Sequence, residues 1–449
     1  MVLLSRYSSN LIDCVGCILR VLVIIPGVPA VVLEAIAAAQ EAVAPGAPVA
    51  LVWGAVRDVL LHRVHNAPWR GLLDLDLVVE GSGAALVEQL AQELAQRGFE
   101  GAITSSQVHG AYGTVELELV VAGQSLLLDV ATARQETYGV PAENPQVRFG
   151  ALADDLARRD FTINAMALVL AGAGSLSPVL LDSHGGQADL ERRQLRLLHP
   201  QSLRDDPTRL LRGARYGARL GFDLAPESLA DAASTLAAWP WPWRHGDPPD
   251  QAPPALGTRL RMELELLLER EPWPQALAAL QRWGALVLLD PQLQADSTWP
   301  RRLRWAQRLG LPLMVALVAG AADPLALAER LQLPHAQHKL LAAWLALRER
   351  LAEEGAVGGA AGDAVSWCAL LEAPGCFADA VALGLACSAG GVQPWRQWRR
   401  PLLRWWWRWR HIQAPLQASD LIAQGLKPGP ALGARLRQLR AEVLAAERI

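Results

Sequence analysis

Residues 74–76, Asp-Leu-Asp, set two carboxylates two positions apart in an apolar run, 73–79, that reads as a strand. Strand alternation puts both on one face. There they repel each other unless a cation bridges them. Mg²⁺ suits such hard oxygen ligands and shares its coordination with substrate phosphates. Taken alone, the pair also reads as a solvated strand edge. Upstream, Leu-Val-Trp-Gly-Ala-Val-Arg-Asp (51–58) reads as a strand that ends at Gly54, where a helix opens. Such a junction presents backbone N–H groups and a positive dipole end to an anion, and Arg57 could clamp a phosphate; taken alone, the segment reads as a plain strand–helix turn. A Gly-led phosphate turn ahead of an Asp-x-Asp strand points to nucleotidyl transfer assisted by two metal ions. Asp129, in the apolar run 126–130, is either a third carboxylate of that site or an ordinary strand-end acid.

Two further segments carry charge in a pattern. In 158–166, Arg-Arg-Asp-Phe-Thr-Ile-Asn-Ala-Met, Arg159 can reach a triphosphate or ribose and Asp160 a ribose hydroxyl. Asp160 also suits the N-cap of an amphipathic helix with Phe161 and Ile163 in the core. In 205–215, Pro207 suits a first helical turn, and Asp206, Arg209, Arg212 and Arg215 recur every third residue as one polar stripe. A carboxylate beside an Arg can read a base edge: the acid accepts from an exocyclic amine and the Arg donates to a ring nitrogen or carbonyl. The plain alternative is a set of i,i+3 ion pairs.

Both acid pairs need rigid elements beneath them. Residues 49–200 mix β-type runs and helical stretches: a strand over 49–53, a helix over 55–62, a strand over 75–79, a helix over 83–97 stopped by Gly98, and a hairpin of 114–121 with 125–131. From about residue 200 the pattern is helical, rich in Ala, Leu and Arg, with no convincing strand. The Pro-rich stretch 239–254 is a loop and 355–362 a flexible joint. The reading is an α+β head with a small mixed sheet, followed by an all-α neck, body and tail. A chain of 449 residues with 51% apolar and 19% charged residues can bury more than one core. The net charge of −3 excludes a polybasic shell. Cys14 and Cys17 have CxxC spacing without a second pair, so neither zinc nor a disulfide framework is expected, and a reducing cytoplasm fits best. The run 14–25 is short for a membrane span and holds Arg20. It reads as a disordered leader or a mistaken start, and no membrane association and no obligate protein partner are expected.

In order and combination, segments 51–58, 74–81, 158–167 and 205–212 resemble the bacterial class II tRNA nucleotidyltransferases, the CCA-adding, A-adding and poly(A) polymerase family. Arg-Leu-Arg-Met-Glu-Leu (259–264) looks like the family's neck motif, and 420–433, with Lys-Pro-Gly-Pro inside it, like its tail. The resemblance implies a polymerase-β-like head over 29–172, a neck over 173–270, a helical body over 271–412 and a tail over 413–449, with 1–28 as leader. It implies that Gly54 and Arg57 hold the triphosphate, Asp74 and Asp76 two Mg²⁺ ions, and Arg159 and Asp160 the sugar-phosphate. Asp206, Arg209, Arg212 and Arg215 would select the base. The partners implied are tRNA, CTP and ATP. Addition of CCA or its terminal A is expected, with poly(A) synthesis or an inactive RNA-binding scaffold as alternatives. Trp53-Gly54 stands where the family has Gly-Gly, Asp205 where it has Glu, and 65–71 is an apparent insertion.

The stretch 395–410 holds six Trp, six Arg and no acid. Helical spacing gives Trp398, Trp405 and Trp409 one buried face and leaves Arg399, Arg410 and Trp406 outward, where Arg399 and Arg410 could meet RNA phosphates.

Overall fold

Alternating and continuous apolar runs in the first half of the chain assemble one seven-stranded mixed sheet. The structure, a computed structural model, describes residues 25–72, 74–109, 113–171, 178–358, 363–390 and 395–447. Cys14, Cys17 and nearly all of the run 14–25 lie outside the described residues. Two compact units meet in sequence at Trp241 and Pro242, so the neck expected over 173–270 spans that division.

The strands of the first unit are β1 (Val49–Val52), β2 (Leu75–Val79), β3 (Ile103–His109), β4 (Thr114–Val121), β5 (Gln124–Thr132), β6 (Arg134–Thr137), β7 (Gln146–Phe149), β8 (Ala167–Ala171) and β9 (Val179–Leu181). The large sheet runs β3-β4-β5-β2-β1-β8-β9, and β6 pairs with β7 in a separate hairpin. β2 and β5 are parallel, while the other neighbours in the large sheet are antiparallel. The β4–β5 turn is the two-residue Ala122-Gly123, both left-handed at φ 51° and 76°, a type I′ geometry that matches strand twist.

Helices α1 (Ala30–Val43), α2 (Trp53–Arg63) and α3 (Gly83–Gln96) follow. Leu77 and its register partner Val130 point to the α3 side, where Val130 lies beside Gly83. Asp76 and Val78 point the other way. Val78 joins Ala50, Val52, Ala133, Ala167 and, from α4 (Leu152–Ala157), Leu152 and Leu156 in one buried cluster. Each of its Val and Leu side chains contributes about 1.5–3 kcal/mol on burial, which fixes β2 and with it the direction of Asp76.

Three expectations are corrected here. The first strand ends at Val52, and the helix opens at Trp53 rather than after Gly54. β2 begins at Leu75, so Asp74 sits just before the strand. Residues 158–166 do not lead into an α-helix: a single 3₁₀ turn, Thr162–Asn164, passes directly into β8 between β1 and β9. Five consecutive apolar residues read equally as buried strand or helix, and the empty hydrogen-bonding edge of β1 decides. The first unit continues with α5 (Gly186–Arg192), β10 (Gln194–Leu195), α6 (Ser202–Asp205), α7 (Arg209–Leu220), β11 (Asp223–Leu224) and α8 (Pro226–Ala238). β10 and β11 form a two-residue parallel ladder, a strand pair that the helical texture of that region conceals.

The second unit is helical throughout its described residues. Trp398, Trp405 and Trp409 share one core with Leu347, Leu371 and Leu385, as their spacing requires. The joint expected at 355–362 is helix up to Gly358, within His335–Gly358, and 359–362 lie outside the described residues. No helix among the described residues is long and apolar enough to cross a membrane.

Candidate active site

Asp76 and Asp129 are register partners on the parallel pair β2·β5, and Glu116 of β4 is the partner of Asp129 on the other side. Three carboxylates therefore lie in one row across the sheet, with Asp74 just ahead of β2. Burial, first, and then the charges of Asp74 and Asp129 push Asp76 up to about 7. The guanidiniums of Arg159 and Arg57 pull it back only partly. Asp74 and Asp129 are raised as well, by burial and, for Asp129, by Asp74 and Glu116. Acids held in this way fit a divalent cation, which would relieve their mutual repulsion. Among the described residues no three ligating groups converge on one position. The arrangement thus suits an ion that completes its shell with substrate oxygens and water. Beside Asp74 opens a cavity of about 400 Å³, whose lining includes Trp69 of the inserted 65–71 turn.

The phosphate turn differs from expectation in its backbone. The left-handed residue is Trp53, at φ 57°, and Gly54 is not among the residues of positive φ. At Gly54 the constraint is spatial: a Cβ there would lie 3.4 Å from Arg57 Nη2. Arg57 is buried, donates from Nε to Asp58 Oδ1 at 2.8 Å and from Nη1 to Asn164 Oδ1 at 2.8 Å.

Asn164 in turn donates from Nδ2 to Asp160 Oδ1 at 3.0 Å, and Arg212 Nε donates to Asp160 Oδ2 at 2.8 Å. Asp160 Oδ1 also accepts from the Phe161 backbone N–H. Burial would raise Asp160, but Arg212 and Asn164 hold it below the usual carboxylate range. The result is a hydrogen-bonded chain, Arg57–Asn164–Asp160–Arg212, that ties together three segments distant in sequence. Both oxygens of Asp160 are engaged in it, so here the residue orients Arg212.

Arg159 is fully buried, paired with Asp155 at 2.6 Å. Arg209 donates to Ser202 Oγ and, at 2.8 Å, to the Arg158 carbonyl. Asp206 closes α6 and precedes α7, its Oδ1 accepting from the Thr208 backbone N–H at 3.0 Å and hydroxyl at 2.6 Å. The acid is thus a turn residue at the head of the stripe, while Arg209, Arg212 and Arg215 ride on α7. Gly213 lets α7 approach closely, since a Cβ there would lie 2.9 Å from Phe161 Cζ.

Sequence reasoning missed Asn164, Asp155 and Tyr216. Asp155 could have been found from its i,i+4 spacing to Arg159. Tyr216 lies under Arg57, 5.4 Å from guanidinium carbon to ring centre, and its hydroxyl accepts from Arg212 Nη2 at 3.2 Å.

In the second unit, Arg399 packs over the Trp305 ring at 4.7 Å and Arg410 over Trp406 at 3.8 Å. Arg410 lines a cavity of about 780 Å³ with Trp405, His411, Gln413, Arg437 and Arg440. Among the described side chains of the stretch, the most exposed Trp is Trp407, at 66%, rather than Trp406.

A mixed sheet whose central parallel strands carry Asp76 and Asp129, with Asp74 just ahead of them and buried arginines alongside, is the head of a nucleotidyltransferase. The family model for the poly(A) polymerase head domain matches residues 49–196. The chain is 40% identical over 306 residues to the CC-adding tRNA nucleotidyltransferase of Deinococcus radiodurans, covering 66% of this chain and 70% of that one. It is 41% identical over 179 residues to the A-adding tRNA nucleotidyltransferase of Aquifex aeolicus, covering 39% of this chain and 19% of that one. A solved CCA-adding enzyme in an apo form shares the fold over 95% of both chains, with a TM-score of 0.64 and 22% identity. The chain belongs to the family of tRNA nucleotidyltransferases and poly(A) polymerases, and it is a nucleotidyltransferase.

Proposed function

We propose that this enzyme builds the 3′ end of tRNA from CTP and ATP, adding CCA or part of it. The reading is carried by the hydrogen-bonded chain Arg57–Asn164–Asp160–Arg212, which links the phosphate turn beside Asp76 to the Asp206–Arg215 stripe. One end of an incoming nucleotide would meet Arg57 and Arg159, and its base the stripe. Asp206 and Arg209 would pair with the exocyclic amine and ring acceptor that cytosine and adenine share, whereas guanine and uracil place a carbonyl against the acid. Asp74 and Asp76, with Asp129 alongside, are the residues that would hold Mg²⁺. That ion supplies acidification of the attacking hydroxyl and neutralisation of charge at the α-phosphate. The tRNA 3′ hydroxyl attacks that phosphate and pyrophosphate leaves. Arg410, with the exposed Trp407, would offer a basic and aromatic surface for the RNA, whereas Arg399, for which the same role is expected from sequence, is engaged by Trp305 and Ser388. The likeness to the Deinococcus enzyme over 306 residues favours a second reading, addition of the two C residues only.

Pure protein incubated with tRNA lacking its 3′ end and each labelled nucleotide tests the proposal. Transfer from CTP, with or without subsequent transfer from ATP, is the expected result and separates the two readings. Transfer from ATP alone onto tRNA already ending in CC would assign A addition. Long A tracts would assign poly(A) synthesis, and absence of transfer would overturn the tRNA reading.

A further inference from the structure

Trp53 has no role in the nucleotidyl-transfer reading, yet its placement is costly. A non-glycine residue in the left-handed region loses roughly 1–2 kcal/mol, a conformation glycine adopts freely. Trp53 adopts φ 57° at the first position of α2. Strain of this kind persists where surrounding contacts hold it, and it gathers at functional sites.

The contacts are specific. The indole is half-buried and packs on the cluster of Ala50, Val52 and Val78 beneath the Asp76 face of the sheet. Two guanidinium carbons lie over its ring, that of Arg159 at 4.7 Å from the centre and that of Arg212 at 4.9 Å. Each has its own acid: Asp155 for Arg159 at 2.6 Å, Asp160 for Arg212 at 2.8 Å. Arg159 belongs to the phosphate side, near enough to Asp76 for its charge to act there. Arg212 belongs to the base-reading stripe. An aromatic face attracts both cations by its quadrupole and fixes the planes of both forks. An alkyl side chain of equal bulk would fill the space without holding either.

We infer that Trp53 is a positioning residue for the incoming nucleoside triphosphate, setting through one ring both the phosphate-side Arg159 and the base-side Arg212. The inference rests on the nucleotidyltransferase reading of the site but not on tRNA as the acceptor. It requires that the π face matter more than the volume.

Calorimetric titration of the full chain with CTP and with ATP, without tRNA, reads this directly, alongside a melting curve for each variant. Trp53→Phe keeps a π face and is expected to bind within about twofold of the parent. Trp53→Leu comes nearer to Phe than to Trp in volume but has no π face, and it is expected to bind about five- to tenfold more weakly. Trp53→Gly relieves the backbone and is expected to be as weak as the Leu variant, so the test survives if Leu fails to fold. Misincorporation of UTP should rise in the order Phe, Leu, Gly. Folded Leu and Gly variants that bind like the parent, or a Phe variant as weak as Leu, would overturn the inference. Variants that bind nucleotides in this order, in a parent that adds none to tRNA, would sink the tRNA proposal and leave the role of Trp53 standing.

Discussion

Asp76 and Asp129 stand on the same rung of the parallel β2·β5 ladder, one strand spacing apart. Parallel strands bring side chains of one rung to the same face, so the repulsion between these acids is built into the sheet register. Arg159 and Arg57 oppose it at Asp76, and His109 at Asp129.

Asp74→Ala or Asp76→Ala should reduce addition of every nucleotide to below a few per cent of the parent rate, with tRNA affinity little changed. Filter binding beside single-turnover kinetics measures both. Substantial activity in either variant would remove the metal assignment.

The rung also sets a pH dependence. Asp76, raised to about 7 from its ordinary 3.8, keeps a proton in the native chain that the unfolded chain has released. Its contribution is therefore most favourable below about pH 4 and is lost as pH rises towards 7. Asp76→Asn stays neutral, so in EDTA at pH 8 it should be more stable than the parent by on the order of 1–2 kcal/mol, discounted for partial exposure. Urea melts at pH 8 and pH 4.5 check this: the advantage should shrink at the lower pH, and Mg²⁺ should shrink it at pH 8. An equal advantage at both pH values would contradict the argument.

Asp206→Ala and Arg209→Ala should slow correct addition and relax discrimination against GTP and UTP, because a site built to hydrogen-bond an amine rejects bases that place a carbonyl there. Each residue also braces the α6–α7 turn, Asp206 through Thr208 and Arg209 through Ser202, so a loss of about 1 kcal/mol in stability should accompany the effect. Competition assays give the base ratios. Slower addition with unchanged ratios would leave the pair a structural one.

Arg399 and Arg410, alike in sequence, should behave differently. Arg410→Gln should weaken tRNA binding and flatten its salt dependence, since a lost phosphate contact returns one released counterion. Arg399, lying over Trp305 and donating to Ser388 Oγ, should lower the melting temperature when changed to Gln. Titrations at several salt concentrations, with melts alongside, distinguish the two effects.

Local spacing made much of this legible. The inward face of Asp76, the three-residue recurrence from Arg209 to Arg215 and the Trp398, Trp405 and Trp409 face follow from strand or helix periodicity, whereas Asp74 falls just outside the strand. What stayed hidden depends on partners far apart in the chain. Nothing near Asn164 says that it will bridge Arg57 to Asp160, and nothing near 167–171 says that β1 leaves an edge for that run to fill. The phosphate turn was misplaced by one residue because glycine is the natural host of a left-handed backbone, whereas here Trp53 adopts it and Gly54 clears room for Arg57.

The two-residue turn at Ala122-Gly123 has a kinetic consequence. It makes β4·β5 a local hairpin that can close early, whereas the Asp76–Asp129 rung joins residues about fifty positions apart and must wait for a large loop to close. The acids thus come face to face late in folding, after Asp129 has been set in its strand. A divalent cation present during refolding should therefore act mainly on the unfolding limb of the chevron, slowing escape from the native state while leaving the hairpin's own closure unchanged.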